Sequence, residues 1–370
     1  MKFSLPKSRL AACLQSVMQV VPSKSTLPIL TNVLVEALEG KLKISATDLD
    51  ISITGGVECE VAKKGSAALP ARILFEIVRE LPETDITIES TNSRVELKIA
   101  KGSYKIASVS PDDFPKLPAV NTKKEIRIDA SSLASMIRRT TFACSTDETR
   151  PALNGVLWQT KGEKMQMVAT DGHRLAKVAL ENKKLKGMSE DIVIPPKVLN
   201  LIPKFTEGQA QEVGIIFGDN NIIFNLGEYV LTSRLIEGPY PNFEQVIPQN
   251  NDKIVRVSKN DLGGAVRRVS ILSNTLTHQV KFGLRKNSLT LSTSNADLGG
   301  EGIEVIDCVF NGEPVEIGYN ANYITDILSR IAGEEVIFEF SSSVAAGLVY
   351  SPEIPKDDFL CLVMPLRLAE

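Results

Sequence analysis

The motif VATDGHRLA, residues 168–176, carries the side chains best suited to chemistry in this 370-residue chain. Asp171, His173 and Arg174 lie within four residues of one another, and His173 is one of only two histidines. An imidazole beside a carboxylate is a common arrangement in general acid–base sites. Whether these residues form a catalytic cluster depends on the elements that carry them and on a nucleophile within reach.

The motif belongs to an internal repeat. The stretch LPILTNVLVEALEGKLKISATDLDISI (27–53) aligns with RPALNGVLWQTKGEKMQMVATDGHRLA (150–176), and the shared Ala-Thr-Asp recurs after 123 residues. A weaker third copy, THQVKFGLRKNSLTLSTSNADLG (277–299), brings Thr293 to a position about 124 residues after Ala169. The chain is therefore predicted to contain three copies of one domain.

Two further landmarks recur at similar intervals and support this triplication. The first consists of Leu69-Pro70, Ile194-Pro195 and Ile317-Gly318. The second consists of Phe114-Pro115, Tyr240-Pro241 and Met364-Pro365. Polar segments near residues 122 and 250 interrupt the apolar periodicity, so the predicted domains are 1–121, 122–249 and 250–370.

Each copy is predicted to open with an amphipathic helix, followed by alternating strands, a second short helix and further strands. The predicted helices span 7–21, 71–80, 131–144, 195–206, 258–273 and 320–333. Asp129 or Ser131 is expected to cap the third helix, and Ser258 the fifth. Two helices per copy among antiparallel strands predict an α+β fold, with the helices packed on one face of the sheets.

Part of the opening motif is explained by this fold. Ala169–Asp171 recurs as Ala46–Asp48, which indicates a turn that every copy needs. Gly172–Leu175 does not recur, so it is a candidate for a function specific to the second copy. A surface turn that happens to carry a histidine is the competing interpretation.

Signatures of enzymes are missing from the sequence. No phosphate-binding, dinucleotide-binding, zinc-protease or esterase motif occurs. Neither His173 nor His278 has carboxylates at ligand spacing, and the pair Asp48 and Asp50 is not repeated in the other copies. We therefore predict no catalytic residue, no metal and no cofactor.

Charge separates the helices from the rest of the chain. The six helix windows carry 12 basic and four acidic residues, whereas the whole chain has a formal charge of −3. A basic surface shared by several helices suits contact with phosphate backbones without sequence readout. Aromatic residues make up only 5% of the chain, which disfavours stacking on single-stranded bases.

The cellular setting follows from cysteines and hydropathy. The five cysteines lie far apart, which favours a reducing compartment over a disulfide framework. No apolar run approaches the length of about 18 residues that a membrane span requires. A cytoplasmic protein with no membrane partner is expected.

The chain resembles the bacterial DNA polymerase III beta subunit, the replicative sliding clamp, over its whole length. The resemblance rests on TLPIL (26–30), TDGHRLA (170–176), IGYN before Tyr323, MPLRL (364–368), and the Phe-Pro and Tyr-Pro pairs. It implies three clamp domains per chain and a head-to-tail homodimeric ring whose twelve helices surround duplex DNA. It also implies a processivity factor without catalysis. The implied partners are the clamp loader, the replicative polymerase alpha subunit, and other polymerases and repair proteins that carry clamp-binding peptides.

The resemblance also assigns residues to sites. The peptide groove would consist of Leu153, Thr170, Gly172, His173, Arg174, Leu175, Pro241, Val246, Asn320, Tyr323, Val344, Leu362, Val363, Met364, Pro365, Leu366 and Arg367. Together with the charge pattern, it favours DNA contact by Lys24, Arg72, Arg79, Arg138, Arg139, Arg150, Lys197, Lys204, Arg267 and Arg268. The dimer contact would join Tyr104 to Ile271 and Leu272. In the groove, Arg174 and Asn320 are expected to orient a peptide by hydrogen bonds.

Three departures from the family pattern concern the groove. Gln245 stands where an arginine is usual, Thr277 stands near a usual aromatic, and Ala369-Glu370 extends past the usual terminal leucine, here Leu368. Two other functions are kept as alternatives. One is a hydrolase that uses Asp171 and His173, and the other is a monomeric, triplicated DNA-binding scaffold.

Overall fold

The computed structural model describes residues 1–91, 93–118, 125–185, 188–207, 212–295 and 299–368. The chain forms two compact units. Unit 1 comprises Met1–Ala134 and Lys197–Leu235, and unit 2 comprises Ser135–Pro196 and Ile236–Glu370. The middle repeat copy is therefore shared between the two units.

The described helices follow the predicted windows with one exception. They are α1 (Lys7–Val17), α2 (Ala71–Glu80), α3 (Ala130–Thr140), α4 (Pro196–Leu199), α5 (Ile202–Thr206), α6 (Lys259–Ser270) and α7 (Ala321–Leu328). The single helix predicted over 195–206 is wrong, because it is divided into α4 and α5. Pro203 lies in the first turn of α5 and has no N–H to continue the hydrogen bonding of α4.

The predicted caps lie at the ends of α3 and α6. The Asp129 carboxylate accepts a hydrogen bond from the backbone N–H of Ser132 at 2.8 Å. The Ser258 hydroxyl accepts one from the N–H of Asp261 at 3.3 Å. Both contacts satisfy helix N–H groups that have no partner within the helix.

Unit 1 contains two sheets in its described residues. Its strands are β1 (Lys2–Pro6), β2 (Asn32–Ala37), β3 (Lys41–Thr47), β4 (Ile51–Glu58), β5 (Glu60–Lys63), β6 (Gly65–Pro70), β7 (Asp85–Thr91), β8 (Arg94–Ile99), β9 (Gly102–Ala107), β10 (Ile126–Asp129), β15 (Glu212–Phe217), β16 (Asn221–Asn225) and β17 (Tyr229–Arg234). Their spatial orders are β5-β1-β7-β8-β9 and β10-β15-β16-β17-β4-β3-β2-β6.

The described strands of unit 2 form one sheet. They are β11 (Val156–Gly162), β12 (Lys164–Thr170), β13 (Arg174–Glu181), β14 (Met188–Ile194), β18 (Lys253–Ser258), β19 (Gln279–Arg285), β20 (Ser288–Asn295), β21 (Gly300–Val309), β22 (Val315–Asn320), β23 (Glu335–Phe340), β24 (Gly347–Tyr350) and β25 (Phe359–Val363). The spatial order is β14-β11-β12-β13-β25-β24-β23-β18-β21-β20-β19-β22.

Each unit contains a junction where strands of two repeat copies pair antiparallel. In unit 1, β4 of the first copy pairs with β17 of the second. In unit 2, β13 of the second copy pairs with β25 of the third. Helices α1 and α6 pack on the sheets, and their buried faces carry Leu10, Leu14, Leu262 and Val266. These observations agree with the predicted α+β arrangement of helices on antiparallel sheets.

Two details of the repeat differ from the sequence prediction. A short strand, β1, β10 or β18, comes before the first helix of each copy, so the helix does not open the copy. In addition, each copy has one isolated β-bridge at an equivalent position of the repeat. They join Ala68 to Val109, Val193 to Ile236, and Gly318 to Leu366.

The landmarks predicted for the third copy are therefore wrong in register. Gly318 aligns with Val193 and not with Pro195. Met364-Pro365 comes before its bridge residue Leu366, whereas Tyr240-Pro241 follows Ile236. The number of residues between the two bridge positions differs between copies, and an alignment of short dipeptides does not account for that difference.

We predict that the two units unfold separately. Trp158, the only tryptophan, is fully buried on β11 of unit 2, so its fluorescence reports on that unit alone. In a urea titration, the fluorescence midpoint should differ from the midpoint of the far-ultraviolet circular dichroism, to which both units contribute. Superimposable curves would contradict this prediction. Trp158→Phe, which removes the fluorescence signal but not the dichroism, is the control.

Candidate peptide groove, basic helices and open strand edges

The opening motif forms a tight hairpin between β12 and β13. The Asp171 carboxylate accepts hydrogen bonds from the backbone N–H groups of His173 and Arg174, both at 2.9 Å. The Thr170 hydroxyl donates to the Arg174 carbonyl at 2.6 Å. Gly172 has a φ of +91°, a conformation that glycine adopts without steric cost. The Thr-Asp-Gly sequence therefore builds the turn itself.

Arg174 lies at the centre of a cluster beneath this hairpin. Its Nε donates to Asp171 at 3.0 Å, its Nη1 to Asp326 at 2.5 Å, and its Nη2 to the carbonyl of Phe142 at 2.8 Å. The guanidinium also lies 4.5 Å from the centroid of the Tyr323 ring. Only 11% of the Arg174 side chain is exposed. Three of the five N–H donors of Arg174 thus have partners within the chain, and its expected role in orienting a peptide stays a prediction.

His173 lies at the surface, next to Tyr323 of α7. The two rings are stacked, with their centroids 6.4 Å apart. Burial raises the pKa of the Tyr323 hydroxyl, and the nearby Asp171 carboxylate adds to this effect. The Asp171 contact to His173 involves the backbone and not the imidazole, so the geometry gives no support to the hydrolase alternative.

The C-terminal segment lies along the hairpin. Leu175 is opposite Leu362 in the β13–β25 pair, and the N–H of Met364 donates to the His173 carbonyl at 2.8 Å. After Pro365, the N–H of Leu366 donates to the Gly318 carbonyl at 2.8 Å. The Gln279 side chain donates to the Arg367 carbonyl at 3.1 Å. Strand pairing and these hydrogen bonds thus hold the backbone of residues 362–367 against β13, Gly318 and Gln279.

The apolar residues assigned to the candidate groove divide into exposed and buried side chains. Val246, Val344 and Met364 are 56%, 66% and 38% exposed. Leu153, Leu175, Leu362 and Val363 are buried. Leu175 and Leu362 belong to a core cluster that includes Phe243 of the connecting segment, and the exposed Pro241 lies in the same segment.

Asn320 has a structural role that sequence reasoning did not anticipate. Its side-chain oxygen caps α7 by accepting hydrogen bonds from the N–H groups of Asn322 at 2.9 Å and Tyr323 at 3.4 Å. Of the departures from the family pattern, Gln245 and Thr277 are both exposed. The extension Ala369-Glu370 lies outside the described residues.

Most of the residues predicted to contact DNA are exposed on helices or loops. Lys24, Arg72, Arg79, Arg138, Arg150, Lys197, Lys204, Arg267 and Arg268 are exposed, and Arg139 is half-buried. Burial lowers the pKa of Arg139, the neighbouring Arg138 adds to this effect, and the Arg139 guanidinium lies 4.9 Å from the Phe359 ring centroid.

Several of these basic residues also have acidic partners. Arg79 contacts Glu80 at 3.0 Å, Arg150 contacts Asp147 at 2.9 Å, and Lys197 is paired with Asp48. Arg268 makes two hydrogen bonds of 2.8 Å to Glu304. Exposed pairs of this kind contribute little to stability, because both ions stay hydrated and are screened by salt, so they do not prevent contact with phosphate.

The residues predicted for the dimer contact lie next to two open strand edges. Tyr104, 39% exposed, lies on β9 at the edge of its five-stranded sheet. Ile271 is 75% exposed, and Leu272 lies against Gly300 and Gly302 of β21. In the described residues, Gly300–Asp307 pair only with β20, because β18 reaches only Cys308 and Val309 at the end of β21.

The described residues contain no group of three or more His, Cys, Asp or Glu side chains arranged to bind a metal ion. None of the described helices has the length and apolar character that a membrane crossing needs.

Comparison with known proteins gives full-length matches. Sequence models of the N-terminal, central and C-terminal domains of the DNA polymerase III beta subunit match residues 1–118, 127–242 and 244–367. The beta sliding clamp of Pseudomonas aeruginosa is 33% identical over 371 residues, which is 100% of both chains. That of Caulobacter vibrioides is 31% identical over 374 residues, covering 99% of this chain and 100% of the relative.

Solved structures agree with these matches. A sliding clamp from Bartonella birtlesii bound to griselimycin superposes with a TM-score of 0.95 and 32% identity. One from Pseudomonas aeruginosa, also bound to griselimycin, gives a TM-score of 0.94 and 32% identity. Both comparisons cover 100% of both chains. This chain belongs to the DNA polymerase III beta subunit family.

Membership of the sliding clamps confirms the predicted family, the α+β fold of three tandem clamp domains, and the function in DNA replication. The chain is accordingly a non-catalytic processivity subunit. The boundaries at 121/122 and 249/250 stay predictions, and the first of them lies outside the described residues.

Sequence reasoning missed two residues of this clamp's Arg174 cluster, Phe142 and Asp326. They lie 32 and 152 residues from Arg174, so no local spacing connects them. One signal was available for Asp326, because it is one of only four acidic residues in the predicted helix windows.

Proposed function

We propose that two copies of this chain close head to tail into a ring around duplex DNA, and that the groove of unit 2 binds partner peptides. One observation carries the ring. In the repeat, β9 is equivalent to β17 and β25, and β21 is equivalent to β4 and β13. Because β4 pairs with β17 and β13 pairs with β25 within the chain, the open edges of β21 and β9 are suited to pair in the same way between two chains.

The repeat supplies a register for the contact between two chains. In unit 1, Ala46 is opposite Ile53, and the residue before Ile53, Ser52, pairs across the junction. In unit 2, Ala169 is opposite Ala176, and the residue before Ala176, Leu175, pairs across the junction. The repeat aligns Thr293 with Ala46 and Ala169. Thr293 is opposite Gly302, so the equivalent of Ser52 and Leu175 is Glu301.

The other side of the junction follows from the isolated bridges. Ser52 pairs with Thr232, and Leu175 pairs with Leu362. Thr232 and Leu362 each come four residues before the bridge residues Ile236 and Leu366. In the first copy the bridge residue is Val109, and the residue four positions earlier is Lys105. We therefore propose that Glu301 of one chain faces Lys105 of the other.

This register is physically favourable. It pairs opposite charges across the strands, and it brings Tyr104 opposite Gly302. A Cβ atom at Gly302 would lie 3.6 Å from the Leu272 side chain, so the glycine leaves room for an aromatic ring beside Leu272. The exposed Ile271 and Tyr104 would then lose contact with water, as expected for a heterologous interface.

Disulfide cross-linking tests the register. Ser103 and Ile303 are directly opposite in the proposed pairing, and such residues have Cα atoms about 4.5–5.5 Å apart. The double variant Ser103→Cys/Ile303→Cys should give a covalent dimer on mild oxidation, seen by non-reducing electrophoresis. Ser103→Cys/Val305→Cys, out of register by two residues, is the matched control and should cross-link poorly. The native protein with its five cysteines gives the background.

Equal cross-linking of the two variants would contradict the register. A mass near 40.3 kDa for the native protein in sedimentation would favour the alternative of a monomeric scaffold.

The groove is suited to a short peptide with apolar anchors. Val246, Val344 and Met364 give it an exposed apolar surface, and His173 and Tyr323 form a polar and aromatic rim. Buried apolar anchors supply most of the energy in such recognition. We propose that it takes clamp-binding segments of the polymerase alpha subunit, other polymerases, repair proteins and the clamp loader.

A charge in the groove should weaken this binding. Val246→Asp is expected to weaken a labelled clamp-binding peptide of the polymerase alpha subunit by more than about tenfold, because an apolar anchor would lie on a carboxylate. Fluorescence anisotropy measures the affinity. Val309→Asp is the matched control, since Val309 is 58% exposed and lies on β21 of the same unit. Equal losses in both variants would rule out a specific groove.

The basic residues suit sequence-independent DNA contact. Those without a carboxylate partner in the described residues include Lys24, Arg72, Arg138 and Arg267, and all four are exposed. Contacts to phosphate are salt-dependent and carry no base information, so they permit sliding. We propose that the ring is retained on DNA by its topology and that these side chains only keep the duplex centred. The cytoplasmic location stays a prediction.

Retention on circular DNA tests the topology. The protein is loaded onto nicked circular duplex with a clamp loader and ATP, and the circle is then cut. Release should follow the cut, because a closed ring slides off free ends. Retention that ignores the cut but falls steeply with salt would mean ordinary electrostatic binding, and the ring proposal would be wrong.

A further inference from the structure

The cluster around Arg174 has a role beyond binding a peptide. We infer that Arg174 is a positioning residue, which together with Asp326 holds the hairpin 170–174 against α7 and so sets the spacing between two walls of the groove. The inference rests on the proposed peptide-binding function. It adds Asp326, which is absent from the groove residues that the family resemblance supplied.

The guanidinium has little capacity left for a ligand. Three of its N–H donors reach Asp171, Asp326 and the Phe142 carbonyl at 2.5–3.0 Å. Arginine has five such donors in a rigid plane, and this plane is fixed once three of them are bound in different directions. With 11% of its side chain exposed, Arg174 supports the groove from beneath.

Asp326 and Tyr323 act on Arg174 from the same helix face. They lie three residues apart on α7, a spacing that brings side chains to one side of a helix. Arg174 binds the carboxylate by a hydrogen bond and contacts the Tyr323 ring at 4.5 Å. The position of Tyr323, and of His173 stacked on it, therefore depends on the Arg174–Asp326 pair.

The hairpin does not need Asp326 for its own fold. Its turn is fixed by Asp171, and β13 is fixed by pairing with β25. Without Asp326, Arg174 would keep two of its three hydrogen-bond acceptors, Asp171 and the Phe142 carbonyl. What would change is the attachment of α7 to the hairpin. The consequence should appear in peptide affinity and much less in stability.

The test uses the purified full-length protein and the labelled peptide described above. Asp326→Asn removes the charge with little change in shape, and it should weaken the peptide by about fivefold or more, within the range for residues that couple two sites. Asp326→Glu restores the charge and should recover much of the affinity. Glu335→Gln is the matched control, because Glu335 is 48% exposed like Asp326 and pairs with Arg256 at 3.6 Å. This control should bind like the native protein.

A second measurement separates positioning from a general loss of structure. His173 and His278 are the only histidines, so two ring signals are expected in a spectrum of ¹³C-histidine-labelled protein, and His278→Gln assigns them. Because His173 lies on the Tyr323 ring, Asp326→Asn should shift the His173 signal at an unchanged melting temperature.

The outcomes are distinct. Native affinity in Asp326→Asn would overturn the inference and leave the groove proposal intact. Weaker binding without a shift of the His173 signal would mean that Asp326 touches the peptide directly, which would also overturn it. If the native protein does not bind the peptide, the proposed function itself fails.

Discussion

Antiparallel pairing of strands across the boundaries of repeat copies is the constraint on which the rest of this molecule depends. Leu175 and Leu362 come from different copies, and they share one face of a sheet only because β13 and β25 pair in one register. A slip of one residue by either strand would turn its leucine to the opposite face and separate the two side chains. The same pairing brings the Met364 N–H to the His173 carbonyl. The candidate groove thus depends on sheet continuity for Leu175 and Leu362, while Val246, Val344 and Met364 come from segments outside the strands.

The two internal junctions use one backbone plan with different side chains. In unit 1 the Arg234 N–H donates to the Asp50 carbonyl at 2.8 Å, as Met364 does to His173 in unit 2. Where unit 2 has Leu175 opposite Leu362, unit 1 has Ser52 opposite Thr232. These hydroxyl side chains cannot form an apolar floor. Side-chain chemistry, and not the fold, therefore distinguishes a peptide site from a plain junction.

Each junction also has an ion pair between a hairpin and a helix, but the acidic and basic partners are exchanged. In unit 1 the hairpin carboxylate Asp48 pairs with Lys197 of α4. In unit 2 a hairpin arginine, Arg174, pairs with Asp326 of α7. Each pair joins a hairpin to a helix of the next copy. Only Arg174 also contacts an aromatic ring of the same helix, which gives the second junction a defined wall.

Local chemistry explains what could be predicted from the sequence. The turn at Thr170–Gly172, the caps at Asp129 and Ser258, and the helix windows all depend on contacts within a few residues, and the repeat reinforced them. The break at Pro203 was also a local signal, because proline lacks the N–H that a continuous helix needs, but the predicted window 195–206 did not take it into account. Local patterns therefore predicted the elements better than their exact limits.

Long-range features were not accessible in this way. The sharing of the middle copy between two units, the register of Met364-Pro365, and the contact of Asp326 with Arg174 all depend on residues far apart in sequence. Family resemblance named the groove residues, but it could not assign Arg174 and Asn320 their internal partners. The partners Phe142 and Asp326 of Arg174 are far away in sequence, whereas those of Asn320 are local and form a helix cap.

The polar pair Ser52 and Thr232 also limits the number of peptide sites that are expected in one chain. Three repeat copies make two junctions in a chain, yet only the junction in unit 2 pairs two leucines, so one peptide site per chain is expected from the proposed function. A ring of two chains would carry two identical sites, and two different partners could be tethered to it together. Each would then act on the same DNA at a high effective concentration, and exchange between them would need only the release of one short peptide at a time.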